Sequence, residues 1–563
     1  MLTSPSLENA DSTPNTPLPV VSAQLRTVPS ANDFVDAAAR RNKRTTWLAV
    51  LVSLACGFGF VAFGLDSPML PVILLIGLAF PVLLWHYNHA ILYIVFAAVC
   101  LFEMAQTGYA DALTDRVPFF WNVNTVFQIL LHINLKAVPF NVLEILVGFT
   151  GVVSLLRAVV MRRVSLRGGP LIVPIGCYIG FVTMAWINGM ATGGDFKLSL
   201  QETRAQFYLF MAYLMGYNLL TNRRHIDRLV IITAVCIALK GVLYTFRRYV
   251  TMAGLPVPDQ GVGSHEEAFL FDAYVALVVT CTLCGVYKKV TPWMWAFLPL
   301  VILGNLATNR RAATAALVIV VPAMLLALYR VLPRPRQKRA VAWSGIVLAV
   351  GGFFYYQAFK NSDSMIAQPA RAIRSQFQPD DRDASSNAYR DAENADIIAT
   401  IRLAPLQGYG YGKRMLHAVP IADISSEYEW WDLLPHNQIL WVWMRVGTVG
   451  FWVFWMMVSA ILLYLSAVVR VTKDATLQAI GIFTLLVVAM LMIFGLLDLQ
   501  LSNFRDMLFV GFWIGTACAF ARITNDESHI RTGILPRETG PLLVIVGESQ
   551  QTGTWSGSKE SVS

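Results

Sequence analysis

The sequence predicts an all-α, polytopic integral membrane protein with about 14 transmembrane helices and one large extracytoplasmic helical loop. Composition is the first observation behind this prediction: 56% of the 563 residues are hydrophobic and only 14% are charged, whereas about 25% is usual in a soluble domain. The mean hydropathy of +0.55 is the second. The third is the number of apolar blocks, because roughly fourteen crossings of about 20 residues each would use about half of the chain.

The apolar blocks are framed by two polar tails. The N-terminal tail, residues 1–45, is rich in Pro, Ser, Thr and Asn, and we expect it to be disordered and cytoplasmic. We expect the same of the C-terminal tail, residues 523–563. Transmembrane helices 1–11 are predicted within residues 46–357 and helices 12–14 within residues 436–522. The blocks lie at 47–65, 68–85, 89–104, 138–156, 170–187, 205–221, 228–246, 268–287, 292–308, 312–331, 341–357, 447–468, 478–498 and 506–522.

Basic residues predict the orientation of these blocks. Clusters of Arg and Lys recur on alternate connections, and the positive-inside rule puts such connections in the cytoplasm. Both termini are then cytoplasmic. The longest connection on the opposite side, residues 358–435, is the predicted extracytoplasmic loop. Within it, residues 388–402 have helical apolar spacing, and Pro405 with the glycines at 408, 410 and 412 ends that helix.

Several classes of function are disfavoured by the sequence. The net charge of +9 belongs mostly to the short cytoplasmic connections, so we expect no nucleic-acid partner. All seven cysteines fall within apolar blocks, which indicates neither a disulfide framework nor a thiolate metal site. No phosphate-binding loop or dinucleotide-binding glycine pattern is present. A catalyst on the outer face would therefore need an activated donor, and a lipid-linked diphosphate meets that need.

Arginines are frequent on the predicted outer side, where the positive-inside rule expects few. The guanidinium group binds phosphate oxygens through a planar fork, so converging arginines would suit a diphosphate. Other interpretations stay open. The loop arginines could form ion pairs with loop carboxylates, and Arg310 and Arg311, in the short 305–312 connection, could anchor lipid headgroups. Arg204 could form a local ion pair with Glu202. The arginines on this side are Arg204, Arg247, Arg248, Arg310, Arg311, Arg371, Arg374, Arg382, Arg390, Arg402 and Arg505.

His436 is the histidine placed best for proton transfer. It lies where the long outer loop returns to the membrane, directly before Asn437. An imidazole at that position would face a substrate at the interface. The alternative is an ordinary interfacial residue with its hydrogen bonds satisfied.

The residues around His436 also carry a family resemblance. Residues 435–440 read Pro-His-Asn-Gln-Ile-Leu and residues 446–450 read Val-Gly-Thr-Val-Gly. Together they resemble the H-N-x-x-L…G-x-x-G signature of the O-antigen ligase and O-antigen polymerase superfamily. Tyr389 and Arg390, followed by Pro-Leu-Gln-Gly-Tyr-Gly at 405–410, resemble the arginine-led helix and P-L-x-G-x-G turn of that family, and residues 309–313 resemble its short arginine motif.

This resemblance implies a metal-independent glycosyltransferase of the bacterial inner membrane that needs no cofactor. Its donor would be an undecaprenyl-diphosphate-linked glycan and its acceptor a glycan or glycolipid, with membrane lipid and other polysaccharide assembly proteins as further partners. His436 and Arg390 would be catalytic, and Arg310 or Arg311, with Arg204, would bind the diphosphate. Asn437, Arg402 and Arg445 are secondary candidates. Arg445 departs from the family, since relatives often carry an acid there.

Two questions stay open at this level. Polymerase and ligase share these motifs, so the sequence does not choose between them. A transporter or flippase of lipid-linked glycans, or a non-catalytic component of an assembly complex, would also use many spans. A transporter needs charges deep in its spans, and the candidates for that role are Glu103, Glu144 and Lys240.

Overall fold

The structure is a computed structural model, and it describes most of the chain after residue 89. The described residues are 90–103, 114, 117, 119–131, 140–161, 163–220, 222–255, 261–263, 265–362, 364–375, 377–426, 428–524 and 541–546. The N-terminal tail predicted at 1–45 and the spans predicted at 47–65 and 68–85 lie outside them.

Helices make up nearly all of the described structure. A π-helical turn, Arg247–Thr251, extends one of them, and a 3₁₀ turn, Met365–Ala367, precedes another. In chain order the helices are α1 (Ala90–Leu101), α2 (Val123–Leu131), α3 (Val142–Met161), α4 (Ile172–Ala191), α5 (Phe196–Leu219), α6 (Arg223–Phe246), α7 (His265–Cys284), α8 (Thr291–Ala307), α9 (Arg311–Val331), α10 (Pro335–Phe359), α11 (Gln368–Arg374), α12 (Asp381–Leu403), α13 (Gln438–Val471), α14 (Ala475–Leu497), α15 (Phe504–Cys518) and α16 (Phe520–Thr524).

Seven of the helices in the described residues are long and apolar enough to cross a membrane: α4, α6 with its π-helical turn, α7, α9, α10, α13 and α14. Shorter apolar helices are α1, the first part of α3, and α8. Every span predicted from 89–104 onward coincides with a helix. The polytopic helical class is therefore confirmed, while the count of 14 stays a prediction.

Helix α13 begins nine residues earlier than the predicted span 447–468, at Gln438. Asn437 caps it, because its side-chain oxygen accepts a hydrogen bond from the backbone N–H of Leu440 at 3.1 Å. Gly447 interrupts the helix with φ 72° and ψ 178°. The break divides α13 into a short helix directly after His436 and a long spanning helix.

The core of the bundle is built around α15, every residue of which is buried. Gly511 and Gly515 lie four residues apart on the face of α15 that meets α5. A Cβ on Gly511 would lie 2.5 Å from the carbonyl oxygen of Leu209, and one on Gly515 would lie 2.3 Å from that of Tyr213. The two helices therefore approach backbone to backbone, as small residues at four-residue spacing allow in membrane bundles.

A cluster of charged side chains inside the bundle is paired. Lys240 on α6 lies 2.5 Å from Glu103 and 3.5 Å from Glu267 on α7. Arg505 on α15 pairs with the same Glu267 and donates to the carbonyl of Val99 at 2.9 Å. Lys240 and Glu103, two of the three charges considered for a transporter, thus belong to a buried charge cluster that joins α6, α7 and α15, which gives them a structural role.

The outer loop predicted at 358–435 contains α11 and α12. The helix predicted at 388–402 is confirmed and is longer, because Asp380 caps α12 by accepting from the N–H of Asp383 at 2.8 Å.

Two of the connections predicted to be cytoplasmic contact each other. Arg223, at the start of α6, and Asp474, before α14, form an ion pair at 2.5 Å.

Two short strands, β1 (Arg163–Arg167) and β2 (Pro541–Val546), pair antiparallel with Val164 opposite Ile545. β2 belongs to the tail predicted to be disordered, so these six residues differ from that prediction. The remainder of the tail beyond residue 524 lies outside the described residues.

Candidate functional site

A cavity of about 350 Å³ opens where the ends of several helices meet the large loop. Four arginines, three aspartates and one histidine give it a strongly polar wall. Its lining residues are Asn309, Arg310, Arg311, Ala312, Gln368, Arg371, Ala372, Asp380, Asp383, Ser386, Arg390, Ile424, Tyr428, His436, Asp498 and Leu499.

Arg310 and Arg311 stand at the first turn of α9 but have different surroundings. Asn309, with φ 53°, turns the chain before them, and Arg310 is extended at the N-cap position. Arg311 lies 3.1 Å from the carboxylate of Asp383 and donates to the Ser386 hydroxyl at 3.1 Å. Arg310 has no hydrogen-bond or ion-pair partner among the described residues, and its Nε is buried. The structure thus separates two neighbours that the sequence leaves equivalent.

Arg390 reaches the cavity from α12. Within the part of the chain that the structure describes, it too has no hydrogen-bond or ion-pair partner. Two cations that lack a counter-charge among the described residues therefore line one cavity from different elements. Such an arrangement attracts an anion, because unpaired cations partly removed from water are costly.

His436 is held by a carboxylate behind the cavity wall. Its Nδ1 lies 3.2 Å from both carboxylate oxygens of Glu393, and its backbone N–H donates to Oε2 of Glu393 at 2.9 Å. The Tyr389 ring packs edge-on against the imidazole, with centroids 6.0 Å apart. Burial, with Glu393 and Asp432 nearby, raises the pKa of the Tyr389 phenol, which therefore stays neutral. Since Nδ1 faces Glu393, Nε2 is the ring nitrogen left for the cavity.

The glycine turn after α12 and the glycine break in α13 are one structural unit. Gly408 and Gly447 have φ values of 84° and 72°. A Cβ on Gly447 would lie 2.2 Å from the carbonyl oxygen of Leu406, and one on Gly408 would lie 2.3 Å from that of Arg445. The backbone N–H of Thr448 also donates to the carbonyl of Pro405 at 2.9 Å. The two motifs quoted for the resemblance thus pack directly against each other and fix where α12 and His436 sit.

Three of the predicted arginines lie outside the cavity lining. Arg204 pairs with Glu144 at 2.9 Å, and Glu202 pairs with Arg445, so the alternative of a local ion pair with Glu202 does not account for Arg204. Arg402 is exposed near the end of α12. Arg445 is fully buried and pairs with Glu202 at 2.5 Å.

Arg445 and Asn437 have structural contacts. The guanidinium of Arg445 donates to the carbonyls of Gly410, Lys413 and Leu433 at 2.9, 2.7 and 3.1 Å. Asn437 caps α13. Arg445 therefore has its own buried acid and fastens the glycine turn.

Sequence reasoning missed Glu393, which it treated only as one of many loop carboxylates. Its spacing of three residues from Arg390 would instead have predicted an ion pair between the two, and no such pair is present among the described residues. For Tyr428 and Asp498, which line the cavity from a loop and from the end of α14, no sequence pattern gave a signal. Within the described residues, no three His, Cys, Asp or Glu side chains are grouped so as to hold a metal ion.

Fold and cavity together define a multi-pass helical membrane protein with a cation-lined site. Comparison with protein families finds that residues 295–455 match the O-antigen ligase family. This confirms the resemblance seen in the sequence and supports the O-antigen ligase and polymerase superfamily, on a segment that covers less than half of the chain. It also supports a membrane enzyme of polysaccharide assembly. A comparison with curated proteins finds no match.

Proposed function

We propose that this protein is a glycosyltransferase of the bacterial inner membrane that moves a glycan from an undecaprenyl-diphosphate carrier to a hydroxyl group of a second glycan. One observation carries the proposal. The same cavity contains Arg310 and Arg390, which have no partner among the described residues, and His436, whose ring is held by a buried carboxylate. All three residues fall within the segment that matches the O-antigen ligase family.

The arginines serve the leaving group in this proposal. When the bond between the anomeric carbon and the diphosphate oxygen breaks, the electron pair leaves with that oxygen and negative charge develops on it. Fixed guanidinium groups stabilise such charge most when they are already in place and partly shielded from water. Arg310 and Arg390 would bind the diphosphate directly, while Arg311, which Asp383 already neutralises, would support the wall of the site.

His436 serves the acceptor. The acceptor oxygen forms the new bond to the anomeric carbon, and its proton passes to Nε2 of His436. Proton transfer of this kind contributes about 10²- to 10⁴-fold in rate. The products are the extended glycan and the lipid diphosphate. In this scheme a metal ion has no required role, so metal independence stays part of the proposal.

An apolar groove supports a lipid-linked donor. It lies between α9 and α10, has a volume of about 560 Å³, and is lined by Leu317, Val318, Val321, Pro322, Leu325, Gly345, Leu348 and Ala349. Its first residue, Leu317, follows Arg311 on the same helix by about 9 Å of helical rise. A polyprenyl tail in this groove would place its diphosphate near the cavity. The proposed topology has both termini in the cytoplasm and the cavity on the outer face.

The reaction is tested on purified protein in liposomes with a short lipid-diphosphate-linked oligosaccharide and EDTA, with products separated by length. A ladder of longer lipid-linked glycans identifies a polymerase, and transfer to an added glycolipid identifies a ligase. No product with either acceptor, but movement of the lipid-linked glycan between leaflets, would replace the proposal by a transporter.

Variants connect the reaction to the cavity. His436→Ala and Arg390→Ala are expected to abolish product formation while the protein still accumulates in the membrane. Asp391→Asn is the matched control, because Asp391 is an exposed acid on α12 beside Arg390. Wild-type product amount and length in both cavity variants would show that the proposed site is wrong and would favour a non-catalytic component of an assembly complex.

A further inference from the structure

The hydrogen bonds of Glu393 in the described structure all involve His436. The residue is 1% exposed, and among the described residues its only hydrogen-bond partner is His436. A buried carboxylate is costly unless it is paired, so its position needs a compensating partner. The imidazole and the backbone N–H of His436 together are that partner.

The other polar residues on the same face of α12 have a different task. Asp396 accepts from the backbone N–H groups of Ala418 and Val419 at 2.8 and 2.9 Å, and Thr400 accepts from that of Leu416 at 2.9 Å. These contacts fasten the outer segment before His436 to α12. Asp396 and Thr400 therefore hold this segment against α12 without Glu393. Among these three residues, Glu393 is the one that contacts His436 next to the cavity.

The contact between Glu393 and Nδ1 of His436 sets the tautomer of the imidazole. A carboxylate at Nδ1 accepts a hydrogen bond there, so the neutral ring carries its proton on Nδ1 and leaves Nε2 without one. If Nε2 then takes a proton from an acceptor hydroxyl, the positive charge of the ring lies against the Glu393 carboxylate and is stabilised by it. The backbone contact at 2.9 Å also fixes the Glu393 carboxylate beside His436.

We propose that Glu393 is a positioning residue for His436: it sets the tautomer and orientation of the imidazole and stabilises the imidazolium formed in the reaction. This inference rests on the proposed function of the cavity. Glu393 itself is absent from the cavity lining, so its effect is expected on the chemical step and not on donor binding.

Glu393→Gln separates these effects, because glutamine keeps an oxygen acceptor of similar size but removes the charge. We expect kcat to fall at least about 100-fold, with the Kd for a lipid-diphosphate-linked oligosaccharide within about threefold of wild type. Asp391→Asn, which removes an exposed carboxylate from the same helix, should leave both quantities unchanged. Glu393→Asp keeps the charge and should recover part of kcat.

The outcomes distinguish the two proposals. If His436→Ala is inactive while Glu393→Gln keeps kcat within threefold, the positioning role is overturned and the proposed site stands. If Glu393→Gln loses donor binding in step with kcat, Glu393 is a structural residue and the inference is again overturned. If His436→Ala is fully active, the proposed function itself fails.

Discussion

Arg445 and Glu202 form an ion pair that is fully buried between α5 and the short helix after His436, with Nε and Oε1 2.5 Å apart. Glu202 also accepts from the backbone N–H of Gly412 at 2.6 Å and from the Trp441 indole at 3.3 Å. The pair therefore joins α5, the glycine turn and the start of α13. Since His436 precedes that start directly, the pair supports the site without entering it.

Removing one member of this pair should destabilise the protein strongly. Arg445→Met leaves the Glu202 carboxylate buried without its cation and leaves three carbonyls without their donor, and we expect a loss of about 3–5 kcal/mol. Thermal unfolding in detergent measures it. The double variant Glu202→Gln with Arg445→Met should be more stable than Arg445→Met alone, because no isolated charge remains. Equal stability of the two would contradict a buried ion pair.

The two arginines at the start of α9 are expected to differ in donor binding. Arg310→Ala removes a cation with no partner among the described residues, and a hydrogen bond to a charged group contributes about 1.5–3 kcal/mol. Affinity for the lipid diphosphate should therefore fall about 10- to 100-fold. Arg311→Ala should weaken binding less and should lower the melting temperature, since it breaks the contact with Asp383. Titration of labelled donor compares them, and equal losses of affinity would refute the distinction.

The close packing of the two glycine motifs predicts that a side chain added at Gly447 destabilises the protein. Gly447→Ala would place a Cβ 2.2 Å from the carbonyl of Leu406 at a residue with positive φ, and we expect at least about 2 kcal/mol of destabilisation. Gly351→Ala in α10 is the matched control, because nothing lies within 4 Å of its added Cβ. Limited proteolysis and thermal unfolding report the difference. A Gly447→Ala protein as stable as the control would mean that the turn and the break do not pack as described.

The fold was predictable where one property of the sequence decides it. Apolar blocks gave the helices because crossing a membrane needs about 20 apolar residues whatever the neighbours are. The break at Gly447 was not predictable, because hydropathy is continuous across it and the cause is the approach of residues 405–408 from elsewhere in the chain.

The site was predictable in part. The predicted membrane side and the residue type indicate Arg310, Arg390 and His436 as site residues, and these three residues line one cavity. Which arginines are neutralised depends on acids that are distant in sequence, and this could not be read from spacing. The sequence suggests Glu202, two residues away, as a partner of Arg204, whereas the structure pairs Arg204 with Glu144 on another helix.

Arg204 gives the last prediction, because its placement differs most from the role expected for it. Its Nε lies 2.9 Å from Glu144, which also accepts from the Tyr208 hydroxyl at 2.9 Å, and Arg204 is absent from the cavity lining. Arg204→Ala should lower thermal stability by about 3–5 kcal/mol, as expected when a largely buried pair loses one member, yet leave donor affinity within about twofold once the variant is folded. Arg204→Ala with Glu144→Gln should regain part of the stability, because it removes the unpaired carboxylate. Donor titration beside thermal unfolding checks both quantities. Loss of donor affinity in a folded Arg204→Ala protein would contradict this prediction and would indicate that Arg204 binds the diphosphate.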